Sequence, residues 1–217
     1  MLWRSFSEEF LKGLIEHCLE ADPAPKTAHI TRLSMYKGLL SRLAAFDGPS
    51  KVCLALSHSE ILANILGLQT CRKVVANYPE HNMMSLKFQD ATFDMCVSDQ
   101  VLEHIEGNPF KAFSESVRVV KKGGLLVHTT CLINEVHGEP GDFWRFTPDG
   151  LKLMAQDTGC EIIEAGGWGN REAWTYISLG FRMRLIPDNP SNPIYKLAMK
   201  NEPDVPIHTW VIARKSL

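Results

Sequence analysis

Hydrophobic and polar positions along the chain fall into alternating short blocks. Apolar runs at "KVCLAL" (51–56), "KVVA" (73–76), "FDMCVS" (93–98), "GLLVHTT" (124–130), "EIIEAG" (161–166) and "IHTWVIAR" (207–214) predict β-strands. Between the first five lie helical periods. Ile61, Leu62, Ile65 and Leu66 recur at helical spacing. "NPFKAFSESVRVVKKGG" offers Asn108 as N-cap and Pro109 at the first helical position. A buried stripe of Phe110, Phe113, Val117 and Val120 follows, with Gly123 or Gly124 as the end. "TPDGLKLMAQDTG" repeats the signal, with Thr147 as cap, Pro148 first and Gly159 as terminator. Strand and helix in alternation predict a mostly parallel sheet with right-handed crossovers. The first 48 residues read as helical, most clearly over "ITRLSMYKGLLSRLAAF", and "DGPS" marks the entry to the sheet. The predicted organisation is an N-terminal helical cap over 1–48 and one domain over 49–217. An insertion at about 167–205 separates the last two strands by more than an ordinary connection and is expected to line a substrate pocket.

Composition narrows the class. A chain of 217 residues with 45% apolar content can bury one substantial core. Its 23 basic and 25 acidic side chains leave a formal charge of -2 without long runs of one sign, so no nucleic-acid or anionic-membrane footprint is expected. No apolar run approaches the ~20 residues that span a bilayer, and "MLWRSFSEEFLKGL" is too acidic and amphipathic for a signal peptide. A cytoplasmic location is the expectation. The six cysteines are dispersed, with no CxxC pair and no ligand-spaced histidine, which predicts neither a metal site nor a disulfide framework.

The turn after the first of these strands, "ALSHSE", is where a parallel sheet would admit a nucleotide. It contains no glycine, and neither G-x-G-x-x-G nor G-K-[ST] is present. Ser57 stands three residues before Glu60, the spacing of a capping box, and His58 reads most simply as a surface residue, with contact to a ligand as the alternative. About 20 residues on, at the end of the next strand, where such folds hold ribose hydroxyls, stands Asn77, with Glu80 as a rival. Asn82 and Met83 could read and pack against an adenine, or Asn77 and Asn82 could simply serve turns.

The block "LKFQDATFDMCVSDQVLEHIEGNPFKAFSESVRVVKKGGLLVHTT" resembles the central part of class I S-adenosylmethionine-dependent methyltransferases, in the branch with "LPFxDxxFDxVxSxxVLEHV" and "RVLKPGGxxxxxxP". "GDFWRFTPDGLKLM" resembles the "DYWRFTPxGL" segment of small-molecule and glycan-pathway members. The resemblance implies an α/β, Rossmann-like seven-stranded sheet, mostly parallel with an antiparallel last strand and helices on both faces. It also implies S-adenosyl-L-methionine as cofactor, with S-adenosyl-L-homocysteine as product. Two departures stand out: "ALSHSE" replaces the glycine-rich motif, and Asn77 replaces the acidic ribose ligand. The expected cofactor contacts are Ala55, Leu56, Ser57, Ser59, Asn77, Tyr78, Asn82, Met83, Ser98, Asp99 and Gln100.

Methyl transfer is an in-line displacement in which orientation and desolvation supply much of the rate, and a general base adds to it when the acceptor carries a proton. His104 in "VLEH" and His137 in the loop after the strand at 124–130 are the candidate catalytic residues. His104 has a second reading as a structural residue bonding backbone near the cofactor. Asp142, Trp144 and Arg145, with Trp168 and Asn170 in the insertion, are the candidate substrate contacts; the competing reading pairs Asp142 with Arg145 and packs the aromatics beneath the loop. The expected partner is a small-molecule acceptor, with no nucleic acid and no membrane, and a homodimer is left open. A noncatalytic binding protein and a cofactor-binding enzyme of another reaction type are the alternatives.

Overall fold

The structure is a computed structural model that describes residues 7–138 and 141–217. In chain order its elements are helix α1 (Glu8–Glu20), strand β1 (Lys26–His29), helix α2 (Ile30–Leu39), strand β2 (Val52–Leu56), helix α3 (Glu60–Ile65), strands β3 (Arg72–Ala76) and β4 (Phe93–Asp99), and helix α4 (Pro109–Val119). There follow β5 (Val120–Cys131), α5 (Pro148–Asp157), β6 (Cys160–Trp168), α6 (Arg171–Tyr176), β7 (Leu185–Pro187), α7 (Pro193–Met199) and β8 (His208–Lys215). The chain divides into two compact units. One runs to Lys37 and resumes at Trp168–Ile207; the other comprises Gly38–Gly167 and His208–Leu217.

The second unit holds a six-stranded sheet in the order β3-β2-β4-β5-β8-β6. β2 pairs parallel with β3 and β4, and β4 pairs parallel with β5. β8 lies antiparallel to β5, from Leu125 opposite Arg214 to Cys131 opposite His208, as expected of the last strand. The sheet has six strands where seven were expected. Beyond β3, residues 77–92 run as turns, because Asn77, Pro79, Asn82 and Asp90 favour turn geometry and Pro79 has no N–H for a ladder. Interior position explains composition: in β2 the run Cys53 to Leu56 is wholly buried, as a parallel strand covered on both faces requires.

Local caps set the helices. The Asn108 side chain accepts the N–H groups of Phe110 at 3.0 Å and Lys111 at 3.2 Å, and Thr147 accepts that of Gly150 at 3.0 Å. α4 ends at Val119, before the predicted glycines, because Thr92 N–H takes the Val119 carbonyl and Val120 already pairs with Phe93. Its buried face is Ala112, Phe113, Ser116 and Val117, while Phe110, expected inside, is 44% exposed at the edge of that face. Lys215 donates to the carbonyls of Val117, Arg118 and Val120 at 2.8–3.3 Å, closing the helix end with a cation. α4 and α5 share one core with the sheet, including Leu54, Cys96, Phe113, Leu126, Leu151 and Val211.

In the first unit the N-terminal segment is not all helix: β1 interrupts it and pairs antiparallel with β7 of the insertion. The two chain segments share a separate core of Leu19, Ile30, Leu33, Tyr176, Ile177 and Ile186, so neither buries its apolar face alone. Residues 1–6 of the predicted cap lie outside the described residues.

Candidate functional site

Strand order reverses beside β2, because the chain proceeds from β2 to β3 on one side and returns as β4 on the other. The loops leaving these three strands therefore diverge, and a crevice opens between them. A cavity of 470 Å³ occupies it, lined by Ser57, His58, Tyr78, His81, Asn82, Met83, Met84, Gln100, Val101, His104, Ile105 and Glu106.

The glycine-free turn adopts the backbone that glycine would favour. Ser57 (φ 49°) and His58 (φ 62°) both lie in the left-handed region, at a cost of roughly 1–2 kcal/mol for an ordinary residue. The surroundings hold them there. Ser57 N–H donates to the Ala76 carbonyl at 3.0 Å, and His58 N–H donates to Asn77 Oδ1 at 3.0 Å. The predicted capping box does not form: the N-cap of α3 is Ser59, and Ser57 is taken up by the left-handed turn.

Of the expected cofactor contacts, Ser57, Tyr78, Asn82, Met83 and Gln100 line the cavity. The other six do not, and five of them have internal roles. Ala55 and Leu56 are buried strand residues. Ser59, fully buried, donates to the Leu56 carbonyl and accepts Asp99 N–H at 2.8 Å, tying the end of β2 to that of β4. Ser98 sits in the core, hydrogen-bonded to His128 at 2.7 Å, whose other ring nitrogen meets Ser116 at 3.0 Å. Burial depresses the His128 pKa to about 3, so this imidazole stays neutral. Asp99 accepts the Thr129 hydroxyl at 2.7 Å. Asn77 borders the crevice without lining it, and its oxygen is committed to the turn. Sequence reasoning missed His81, Met84, Ile105 and Glu106 as lining residues, and of His58 it preferred the surface reading to the ligand contact. A non-glycine left-handed turn leaves no mark in the pattern, and His81, stacked on Phe88 at 5.0 Å, follows Pro79 in a segment legible only as turn.

The two candidate catalytic histidines come together. The rings of His104 and His137 meet edge to face with centroids 5.2 Å apart. His104 follows Glu103 in a 3₁₀ turn at the end of β4, and its Nδ1 hydrogen-bonds the Gly141 carbonyl. Gly138 packs on that imidazole so closely that a Cβ there would come within 2.6 Å of His104 Cε1. Glu103, fully buried, accepts the Thr130 hydroxyl at 2.8 Å. Its backbone carbonyl receives the N–H groups of Phe143 and Trp144, strapping the loop to the turn.

Asp142 and Arg145 follow the competing reading. The Asp142 side chain is 2% exposed and takes a two-pronged bond from Arg145, and it also accepts His137 N–H at 2.8 Å. The Arg145 guanidinium holds the Asp142 carboxyl down at about 2. A buried carboxylate so satisfied is unavailable to a substrate. Trp144 is 38% exposed, donates its indole N–H to the Ile105 carbonyl at 2.9 Å, stacks on Phe146, and is absent from the cavity wall. Trp168 and Asn170 belong to the other unit. Asn170 is fully buried; it caps α6 through Ala173 N–H and donates to the carbonyls of Leu197 and Lys200, a structural role.

Residues 37–128 match the methyltransferase domain family. No curated protein matches the chain in sequence. Solved structures are similar in fold. Phosphoethanolamine N-methyltransferase 2 of Haemonchus contortus, in complex with S-adenosyl-L-methionine, superposes with a TM-score of 0.52 at 12% identity, covering 99% of this chain and 59% of that one. The [4+2]-cyclase SpnF gives 0.50 at 16% identity over 95% and 93% of the two chains. Geranyl diphosphate C-methyltransferase from Streptomyces coelicolor A3(2), crystallised with S-adenosyl-L-homocysteine, gives 0.50 at 14% over 85% and 79%.

Proposed function

From the premise that the chain carries a class I S-adenosylmethionine-dependent methyltransferase domain, we propose that the protein methylates an oxygen or nitrogen of a small-molecule acceptor. The observation that carries the reading is the cavity at the strand-order reversal, walled by the left-handed turn on one side and by His104 on the other. Its 470 Å³ falls within the roughly 300–1,000 Å³ of small-molecule and cofactor sites. The residues present suit the cofactor. Ser57 is small enough for close approach, Asn82, its oxygen accepting Met84 N–H at 2.9 Å, can offer its amide nitrogen to a purine edge, and Met83 and Met84 offer thioethers to its face. Gln100 and Tyr78 complete this wall, and Asn77, its oxygen engaged with His58, can offer its amide nitrogen to a ribose hydroxyl.

S-adenosyl-L-methionine supplies an electrophilic methyl on a sulfonium. The chain's task is to bring the acceptor atom in line with it, exclude water, and remove a proton where the acceptor carries one. His104, in the cavity wall with its ring fixed by the Gly141 carbonyl, is the group placed to take that proton, with His137 behind it. The likeness to SpnF, whose name is that of a cyclase, favours one second reading, a cofactor-binding enzyme of another reaction type. The proposed setting is cytoplasmic, with no nucleic-acid partner. No described helix is long and apolar enough to cross a membrane.

Calorimetry of the purified chain with S-adenosyl-L-methionine and S-adenosyl-L-homocysteine tests the cofactor. An acceptor screen read by S-adenosyl-L-homocysteine release tests the reaction. Binding without release across hydroxyl and amine acceptors would favour the second reading; absence of binding at millimolar cofactor would leave a noncatalytic protein.

A further inference from the structure

We propose that Glu103, His104 and His137 form a divalent transition-metal site beside the cavity, against the expectation from sequence that no metal binds. Each offers one ligating atom, and the three atoms lie within 4.8 Å of one another. A site with bonds of about 2.0–2.2 Å sets neighbouring ligand atoms roughly 3–3.6 Å apart, so a bound ion draws the trio inward by about 1 Å. Two members start anchored, Glu103 by the Thr130 hydroxyl and His104 by the Gly141 carbonyl. His137, with its side chain 16% exposed on the following loop, can supply the adjustment.

The surroundings provide an independent observation. A metal-bound imidazole characteristically donates its other N–H to a carbonyl or carboxylate, which fixes the ring and raises its basicity. Both rings are held this way. His104 Nδ1 meets the Gly141 carbonyl, and His137 Nδ1 lies 3.0 Å from the Glu135 carbonyl and 3.1 Å from the Asp142 carboxylate. A ring so held presents its lone pair on Nε2. Arg145 in turn fixes Asp142, so the supporting shell is itself braced. Two imidazoles and one carboxylate, with further positions open, make the donor set of many catalytic zinc and non-haem iron(II) sites.

Only the role of the ion rests on the methyltransferase reading; its existence does not. In that role Glu103, His104 and His137 would hold the ion, and the ion would supply Lewis acidity to a hydroxyl of the acceptor, whose proton would leave to water; with metal bound, His104 would serve as a ligand and no longer as the base.

The test uses the full chain stripped with chelator and refilled with Zn²⁺ or Co²⁺ alone. Equilibrium dialysis with elemental analysis should give about one equivalent per chain at micromolar Zn²⁺. His137→Gln and His104→Gln should each weaken binding at least tenfold, and Asp142→Asn, which touches only the supporting shell, by roughly 10- to 100-fold. The visible spectrum of the Co²⁺ form of the unmutated chain should show ligand-field bands without thiolate charge transfer. Retention of less than a tenth of an equivalent by the folded chain overturns the site. So does a thiolate band, which assigns the metal to cysteine, or undiminished binding in both histidine variants. The spectrum needs no substitution, so a variant that fails to fold leaves the proposal open to refutation. Because metal content is read without cofactor or acceptor, loss of the methyltransferase reading and loss of the metal site give different results.

Discussion

Replacing Asp142 with asparagine should cost stability at neutral pH and progressively less in acid. The amide keeps the shape and one oxygen for His137 N–H, so the change isolates charge. The folded carboxyl is held at about 2 by Arg145, against a usual 3.8. At about 1.4 kcal/mol per tenfold change in proton affinity, that gap contributes about 2 kcal/mol once the group is ionised in both states. The sign follows from the depressed value: the contribution is full above about pH 4 and is lost as pH falls through 2. Near pH 3 roughly half should remain. Urea unfolding of both proteins from pH 7 to pH 3, followed by circular dichroism, measures the difference directly. A gap that stays constant over that range would show that asparagine disturbs packing and that the ion pair contributes nothing, and the account of the 137–145 loop would fail.

Other substitutions test other parts of the site. His137→Ala should reduce turnover at least tenfold, a loss of about 1.4 kcal/mol in transition-state stabilisation, with cofactor affinity held within about threefold. His104→Ala, in the cavity wall, should lower both, as steady-state kinetics paired with cofactor titration will show. Asn77→Ala removes the acceptor of His58 N–H; a loss of about 1 kcal/mol in stability is expected together with weaker cofactor binding by calorimetry, and unchanged affinity would sever the turn from the ligand. His128, held at about 3 when folded, is protonated first in the unfolded chain, so stability should fall as pH drops below about 6.5. His128→Gln should flatten that limb by up to about 1.4 kcal/mol per pH unit, and an unaltered slope counts against burial as its cause.

The six strands of the main sheet and the Asn108 and Thr147 caps were legible because period and capping chemistry are local. The site was legible in part. His104 and His137 stood out as titratable groups beyond strand ends, but their meeting depends on the loop strapped to the Glu103 carbonyl, a tertiary fact. Asn170 and Ser98, expected to meet ligands, are engaged with buried groups, because a polar residue near a strand end looks alike in sequence whether it faces a ligand or satisfies such groups. β1 was lost within a helical run because its partner, β7, lies more than 150 residues away, beyond the reach of any window. The αL turn at Ser57 and His58 was invisible for a different reason: the hydrogen bonds that hold it come from the next strand.

β8 lies between β5 and β6, so an interior strand of the sheet is synthesised after both of its neighbours. At about 5–20 residues per second, β6 is complete roughly 2–9 s before β8, and in that interval both β5 and β6 present open ladders. Nascent chains halted between residues 170 and 205 should therefore be aggregation-prone and good clients for chaperones. Slower translation between β6 and β8 would prolong that exposure, whereas a circular permutant that starts at β8 would be relieved of it.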